Sequence, residues 1–181
     1  MKHRKCHLAL IVAGCLLFLM CSHSTMPKAV SPRYSPKTLY DATVTAVLDG
    51  DTIKVTFLDT LPEGCGKQET VRFIGVDTPE MNLHKDAPPE YFAEEAFWYT
   101  NQWYAKTVRI ELDSVTGLRD RYGRLLAYVW TDASLLNHAL IEEGYGRYLG
   151  TFPFSKNRMN TFLSAQESAQ AECKGVWGKY E

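Results

Sequence analysis

The sequence predicts a single α+β domain in which five short strands form a small antiparallel barrel and three helices pack on it. Five segments alternate apolar and polar residues, which is the period of a half-buried strand. Three other segments repeat apolar residues at helical spacing, after the third strand, after the fifth strand and near the C-terminus. With 181 residues, of which 45% are hydrophobic and 23% are charged, the chain can bury one sizeable core.

Five segments carry the strand alternation, and two turns mark how they connect. The turn Asp49–Gly50 links the first two segments, and a turn at residues 120–124 links the last two. The first three segments are expected to form a meander. The segments are residues 43–48, 52–57, 70–76, 107–112 and 125–130.

Three segments predict helices. The Pro88–Pro89 pair suits the first turn of a helix, because the first N–H groups of a helix have no partners, and apolar residues then recur to about Tyr104. Asp132 is placed to cap a second helix that stops at Gly144, and Ser155 is placed to cap a third.

The first 21 residues predict an export segment. Three basic side chains precede an apolar run of thirteen residues, Leu8–Met20, which is too short for a comfortable membrane span and typical of a signal peptide. Cys15 follows Val-Ala-Gly, as in a bacterial lipobox, and Cys21 comes directly after the run. We therefore expect an exported bacterial protein that is secreted, periplasmic or attached to the membrane by a lipid on Cys15 or Cys21.

Residues 22–38 are rich in Ser, Pro and Lys and predict a flexible tether before a domain at residues 39–178. The export segment holds three of the 20 Lys and Arg residues and no acid, so the remainder has 17 basic and 21 acidic residues, a net charge of −4. A domain that binds nucleic acid usually has a basic surplus, so binding of a polyanion would depend on a local cluster of cations.

Two cysteines, Cys65 and Cys173, lie in the domain. In an exported protein they suggest one disulfide, which over a separation of 108 residues would stabilise the fold by on the order of 4–5 kcal/mol. The alternative is a buried free thiol, because Cys173 falls on the apolar face of the last predicted helix. The sequence leaves both open.

Two carboxylates are expected at the same end of the sheet. Asp51 begins the second strand and Asp77 ends the third, each with the parity of its strand's buried residues. If the two strands pair as an antiparallel hairpin, both carboxylates emerge together and would repel each other. A hard cation between them, Ca²⁺ or Mg²⁺, would relieve that repulsion. An ordinary Asp-Gly turn at residues 49–50 is the structural alternative.

Three further side chains complete a set suited to phosphodiester chemistry. Pro79 stiffens the segment that holds Glu80, a carboxylate able to polarise or deprotonate a water near the ion. Arg72 and Arg124 could each donate paired hydrogen bonds to a phosphate. By parity Arg72 would point away from Asp77 in a flat strand, so barrel curvature at the strand end or the length of the arginine side chain must bring it round.

Three motifs, in this order, resemble the staphylococcal nuclease (thermonuclease) family. They are Asp49-Gly50-Asp51-Thr52, the stretch from Arg72 to Asp77-Thr78-Pro79-Glu80, and Asp120-Arg121-Tyr122-Gly123-Arg124. Asn137 and the C-terminal Gly175-Val176-Trp177 also resemble the family, and the likeness covers roughly residues 39–178.

The resemblance implies an OB-fold barrel and a Ca²⁺-dependent endonuclease of low sequence specificity that cuts DNA and RNA and leaves a 3′-phosphate. Mg²⁺ or another divalent ion is the alternative to a single Ca²⁺. The residues that match the family's site are Asp51, Asp77 and the carbonyl of Thr78 as ion ligands, Asp49 behind them, Glu80 as general base, and Arg72 and Arg124 as stabilisers of the phosphate charge.

Two pairs of residues are candidates for contact with the substrate. The resemblance implies that Arg121 and Tyr122 contact the substrate, whereas Tyr148 and Phe152 are either base-stacking platforms or ordinary loop and core aromatics. We expect a monomer that prefers single-stranded DNA or RNA. The alternative function is a non-catalytic OB-fold module that only binds oligonucleotides.

Overall fold

The computed structural model describes residues 38–82 and 86–178. The predicted export segment, with Cys15 and Cys21, and the tether up to residue 37 lie outside the described residues. In chain order the elements are β1 (Tyr40–Asp49), β2 (Thr52–Phe57), β3 (Gln68–Phe73), β4 (Val76–Asp77), α1 (Ala93–Asn101), β5 (Thr107–Glu111), β6 (Leu125–Trp130), α2 (Leu136–Glu142), β7 (Arg147–Tyr148), α3 (Lys156–Ala171) and a short 3₁₀ helix (Gly175–Trp177). Within the described ranges, none of the helices has the length and apolarity needed to span a membrane.

Five strands close into a barrel in the order β1–β2–β3–β6–β5, which confirms the predicted five-stranded barrel with three helices. The one departure is that β3 and β6 pair in parallel. A closed ring with an odd number of strands cannot alternate direction at every step, so one parallel pair is unavoidable. Alternate side chains of the strands fill the barrel, and α2 and α3 cover it with Leu136, Leu140 and Phe162.

The predicted third strand divides into two elements at Gly75. β3 ends at Phe73, and Gly75 adopts a φ of 74°, in the left-handed region that favours glycine. A Cβ at this position would lie 2.6 Å from Cζ of Phe154, so the close packing also requires glycine. After this bend the chain leaves the barrel, and β4 pairs with β7 as a separate two-stranded ribbon.

The helix boundaries differ from the predicted ones. α1 begins only at Ala93, because the preceding Phe92 has a φ of 67°, which no helix accommodates. Asp132 does not cap α2, which begins at Leu136. Ser155 does precede α3, but its side chain makes no capping hydrogen bond.

Both cysteines of the domain are free thiols, so the suggested disulfide is not formed. Cys65 is half-buried in the loop before β3, and burial, together with the nearby Glu69 carboxylate, raises the pKa of its thiol. Cys173 is exposed rather than on an apolar helix face, because α3 ends at Ala171 and Cys173 has a φ of 53°.

Asn137 on α2 ties the helix to the strands beneath it. Its fully buried side chain accepts a hydrogen bond from the N–H of Val129 at 2.9 Å. Its amide group donates to the carbonyls of Ile74 at 2.9 Å and Ala127 at 3.2 Å. Ile74 stands at the junction of β3 and β4, so Asn137 fixes the bend from which Asp77 projects.

We expect Asn137→Ala to lower the free energy of unfolding by about 2–4 kcal/mol, because it leaves the buried N–H of Val129 and carbonyl of Ile74 without their partner. Denaturant titration measures the change. The control is Asn160→Ala on the exposed face of α3, for which a change below about 0.5 kcal/mol is expected. Equal effects of the two substitutions would contradict the assigned role.

Candidate active site

The tight turn between β1 and β2 delivers a buried carboxylate. Asp51 follows this turn, and only 6% of it is exposed. Its Oδ1 accepts a hydrogen bond from the hydroxyl of Thr52 at 2.8 Å, and its Oδ2 accepts one from the N–H of Thr78 at 2.9 Å. The Asp51 carboxylate therefore joins the turn to the segment that follows β4.

Arg72 is the centre of the site. Its Nη1 lies 3.0 Å from Oδ2 of Asp51, and its Nη2 donates to Oδ1 of Asp77 at 2.8 Å. Nη1 also donates to the carbonyls of Phe73 and Val76, at 3.0 and 2.6 Å. The guanidinium thus bridges the two acids and also fixes the chain between β3 and β4.

The expected approach of Arg72 to Asp77 is observed, and a bend of the backbone between them accounts for it. Parity holds only along an uninterrupted strand, whereas the backbone between these residues bends at Gly75. The bend brings the Asp77 carboxylate round to the guanidinium. The expected meeting of Asp51 and Asp77 is observed, with Arg72 between them.

The segment after β4 holds Glu80 by its backbone. The N–H of Glu80 donates to Oε2 of Glu90 at 3.1 Å, and its carbonyl accepts from the N–H of Glu90 at 3.0 Å. Glu80 is exposed, whereas Thr78 is buried, and Oγ1 of Thr78 has no hydrogen-bond partner among the described residues. Hydrogen bonds of the Glu80 backbone therefore hold in place a residue whose carboxylate reaches the surface.

Negative charge in the site exceeds what one guanidinium balances. Burial raises the pKa of Asp49 to about 6. Hydrogen bonds to the carboxylate act against this rise, and the charges of Asp51 and Glu80 add to it. Burial also raises the pKa of Asp77, against the lowering effect of Arg72 and with the added repulsion of Asp51 and Glu80. A bound cation would relieve both effects.

The residues present fit a hard divalent ion in an open site. No cluster of three or more His, Cys, Asp or Glu side chains suited to a metal occurs within residues 38–82 and 86–178. The available donors are the carboxylates of Asp51 and Asp77 and the carbonyl of Thr78, all oxygen atoms of the kind that Ca²⁺ and Mg²⁺ prefer. Such a set leaves positions for water and phosphate oxygens.

The turn before β6 orients the second arginine. Asp120 accepts hydrogen bonds from the N–H of Tyr122 at 2.9 Å and from the N–H of Arg124 at 3.0 Å. The second oxygen of Asp120 accepts from Nε of Arg124 at 2.7 Å. In the described part of the chain, the terminal nitrogens of Arg124 make no hydrogen bond, so both remain available to a ligand.

A cleft of about 640 Å³ contains both arginines. Arg121 and Tyr122 lie at its edge, where Arg121 donates to the Tyr122 hydroxyl at 2.6 Å. Of the two aromatic candidates, Phe152 lines the cleft and is 68% exposed. Tyr148 does not line it, because its ring packs edge-on against Phe154.

Two residues of this region are not singled out by the sequence. Asp120 belongs to the Asp-Arg-Tyr-Gly-Arg motif, but only the structure shows that it holds the Arg124 side chain. Arg147 lies directly opposite Asp77 in the β4–β7 pair. A two-residue strand leaves no alternation in the sequence, so no pattern could have indicated that pairing.

Comparisons with known proteins identify the family of the chain. The model of the staphylococcal nuclease homologue family matches residues 70–179, more than half of the chain. A thermonuclease of Staphylococcus hyicus is 37% identical over 135 residues, which cover 74% of this chain and 73% of that protein.

Two proteins of Bacillus subtilis (strain 168) are similar too. Endonuclease YncB is 31% identical over 159 residues, 87% of this chain and 71% of that protein. The SPbeta prophage-derived endonuclease YokF is 32% identical over 144 residues, 79% of this chain but only 46% of that protein. The chain belongs to the family of staphylococcal nuclease homologues.

Proposed function

We propose that the protein is a divalent-metal-dependent endonuclease that hydrolyses phosphodiester bonds in DNA and RNA with low sequence specificity. The observation that carries the proposal is the Arg72 guanidinium, which is held between Asp51 and Asp77 at 3.0 and 2.8 Å and lines the same cleft as Arg124. Two guanidinium groups beside paired carboxylates suit the transfer of a phosphoryl group to water. The similar thermonuclease and endonucleases support the same reaction class.

One divalent ion, Ca²⁺ in this proposal, would be held by Asp51, Asp77 and the Thr78 carbonyl, with Asp49 beside them. When bound, it would supply positive charge to the phosphate and lower the pKa of a water molecule. The choice of Ca²⁺ rests on the family resemblance, and the oxygen donors are equally compatible with Mg²⁺.

The chain's own residues carry out the reaction. Glu80 accepts a proton from the attacking water, whose oxygen forms a bond to phosphorus in line with the departing 5′ oxygen. Arg124 donates from its free terminal nitrogens to the phosphoryl oxygens. Arg72 donates from Nε and its remaining Nη2 hydrogen, since its other donors are already engaged. The 5′ oxygen leaves and takes up a proton, so the products are a 3′-phosphate and a 5′-hydroxyl.

The cleft supports a preference for single strands. The rings of Tyr122 and Phe152 are both 68% exposed at the cleft, where unpaired bases could stack on them. We propose that the protein acts as a monomer. We also propose export, through the N-terminal segment, to a secreted, periplasmic or lipid-anchored form.

We expect cleavage of single-stranded DNA and RNA with Ca²⁺ and none with chelator. Glu80→Gln should lower kcat by about 10²–10⁴-fold, because the proton acceptor is lost. Arg72→Lys should lower it by about 10²–10³-fold, because one ammonium cannot bridge two carboxylates and also donate to the phosphate. Steady-state kinetics measure both.

The matched controls are Glu94→Gln on the exposed face of α1 and Arg109→Lys on β5, which should retain the wild-type kcat. Cleavage that continues in chelator, or that both site variants perform at the wild-type rate, would refute the mechanism. Oligonucleotide binding without turnover in any divalent ion would instead favour the non-catalytic binding module.

Asp120→Asn should lower kcat by about tenfold while leaving the unfolding midpoint nearly unchanged. The amide oxygen can still accept from the N–H groups of the turn, but the NH2 group that replaces the second carboxylate oxygen cannot accept from Nε of Arg124, so the hydrogen bond that orients this side chain is lost. Kinetics and thermal unfolding of the same preparation separate the two effects. A fall in stability without a fall in kcat would assign Asp120 a structural role only.

Export predicts a shortened mature chain. Mass spectrometry of protein recovered from bacterial cells should show loss of the first 14 to about 21 residues, with the mass of a lipid added if Cys15 or Cys21 is the anchor. Recovery of the full-length chain from the cytoplasm would contradict the proposal.

A further inference from the structure

β7 places a third arginine beside the candidate active site. Arg147 is directly opposite Asp77 in the antiparallel β4–β7 pair. Side chains that oppose each other in such a pair project from the same face, with Cβ atoms about 4.5–5.5 Å apart. Arg147 therefore approaches, from β7, the same carboxylate that Arg72 holds from β3.

The guanidinium of Arg147 lies over an aromatic ring. Its Cζ lies 5.2 Å from the ring centre of Trp177, in the 3₁₀ helix. That helix is in turn fastened to the end of α2, because the N–H of Val176 donates to the carbonyl of Gly144 at 2.9 Å. A guanidinium stacked on a ring keeps its N–H groups directed outward around its edge.

The hydrogen-bond donors of Arg147 are not used. Among residues 38–82 and 86–178, its side chain forms neither a hydrogen bond nor an ion pair. Arg72 differs, because its terminal nitrogens are engaged by carboxylates and carbonyls. Arg147 is therefore an exposed cation whose donors remain open to an anion.

We propose that Arg147 binds a backbone phosphate of the nucleic acid next to the phosphate that is cut, and that Trp177 holds Arg147 in place. The proposal rests on the proposed nuclease function and extends its binding site from the cleft to β7 and the C-terminal 3₁₀ helix. The domain has no basic surplus, so each phosphate contact depends on an individually placed cation. Lying beside Asp77, Arg147 would set the path of the strand rather than take part in bond cleavage.

The test compares Arg147→Gln and Arg147→Lys with a matched control, Lys106→Gln. Lys106 is also an exposed cation over a tryptophan, with Nζ 5.2 Å from the ring centre of Trp103. It differs in location, because it lies beside the middle of β1, where its carbonyl accepts a hydrogen bond from the N–H of Val44. Affinity for a fluorescent oligothymidylate is measured in chelator at a series of NaCl concentrations, and kcat and KM are measured with Ca²⁺.

We expect Arg147→Gln to weaken binding about tenfold at low salt and to reduce the slope of log affinity against log salt by about 0.7, the value for one phosphate contact on a single strand. KM should rise more than kcat falls. Arg147→Lys should restore the slope, because it restores the charge. Lys106→Gln should keep the wild-type slope, and thermal unfolding checks that all variants are folded.

A wild-type slope for Arg147→Gln, or an equal loss for Lys106→Gln, would overturn the inference even if the wild-type protein cleaves. A wild-type protein that never cleaves, but whose binding depends on Arg147 in this way, would overturn the proposed nuclease function and support the phosphate contact. A wild-type protein that binds no oligonucleotide would overturn both.

Discussion

The bridge from Arg72 to Asp51 and Asp77 is the interaction on which the candidate site depends. Arg72 is 9% exposed, and removing either carboxylate would leave a nearly buried charge with only one of its two ion-pair partners. The bridge also joins three separate parts of the chain: the turn after β1, the end of β3 and the ribbon β4–β7. Because the bridge determines how these three segments meet, it also positions the two acids.

The barrel must deform locally to make this bridge. A straight continuation of β3 would direct Asp77 away from Arg72, so the chain bends at Gly75, where the backbone conformation and the contact with Phe154 both require glycine. Asn137 then satisfies the carbonyl of Ile74, which the bend removes from the strand ladder. The bend at Gly75 is thus a local departure from regular strand structure that the site requires, and the Asn137 amide satisfies the carbonyl that this bend exposes.

Much of this could be predicted from the sequence, and the failures have definite physical causes. Strand alternation indicated the five barrel strands, and hairpin pairing indicated that Asp51 and Asp77 meet. How Arg72 reaches Asp77 could not be predicted, because strand alternation no longer tells which side a residue faces once the backbone bends at Gly75. The place of Arg147 is invisible in the sequence, since β7 has two residues and its pairing is a long-range contact. The sequence wrongly places Cys173 on a helix face, because the helical spacing of apolar residues continues past Ala171, where α3 ends.

The way each arginine is held accounts for how a domain of net negative charge could bind a polyanion. Arg72 is held by carboxylates, Arg124 by Asp120 and Arg147 by the ring of Trp177. A long side chain that is already immobilised loses little rotamer entropy when a phosphate arrives, so a few fixed cations can replace a diffuse basic surface. Under the proposed function, these three separately held guanidinium groups, rather than the total charge, would contact the phosphate backbone.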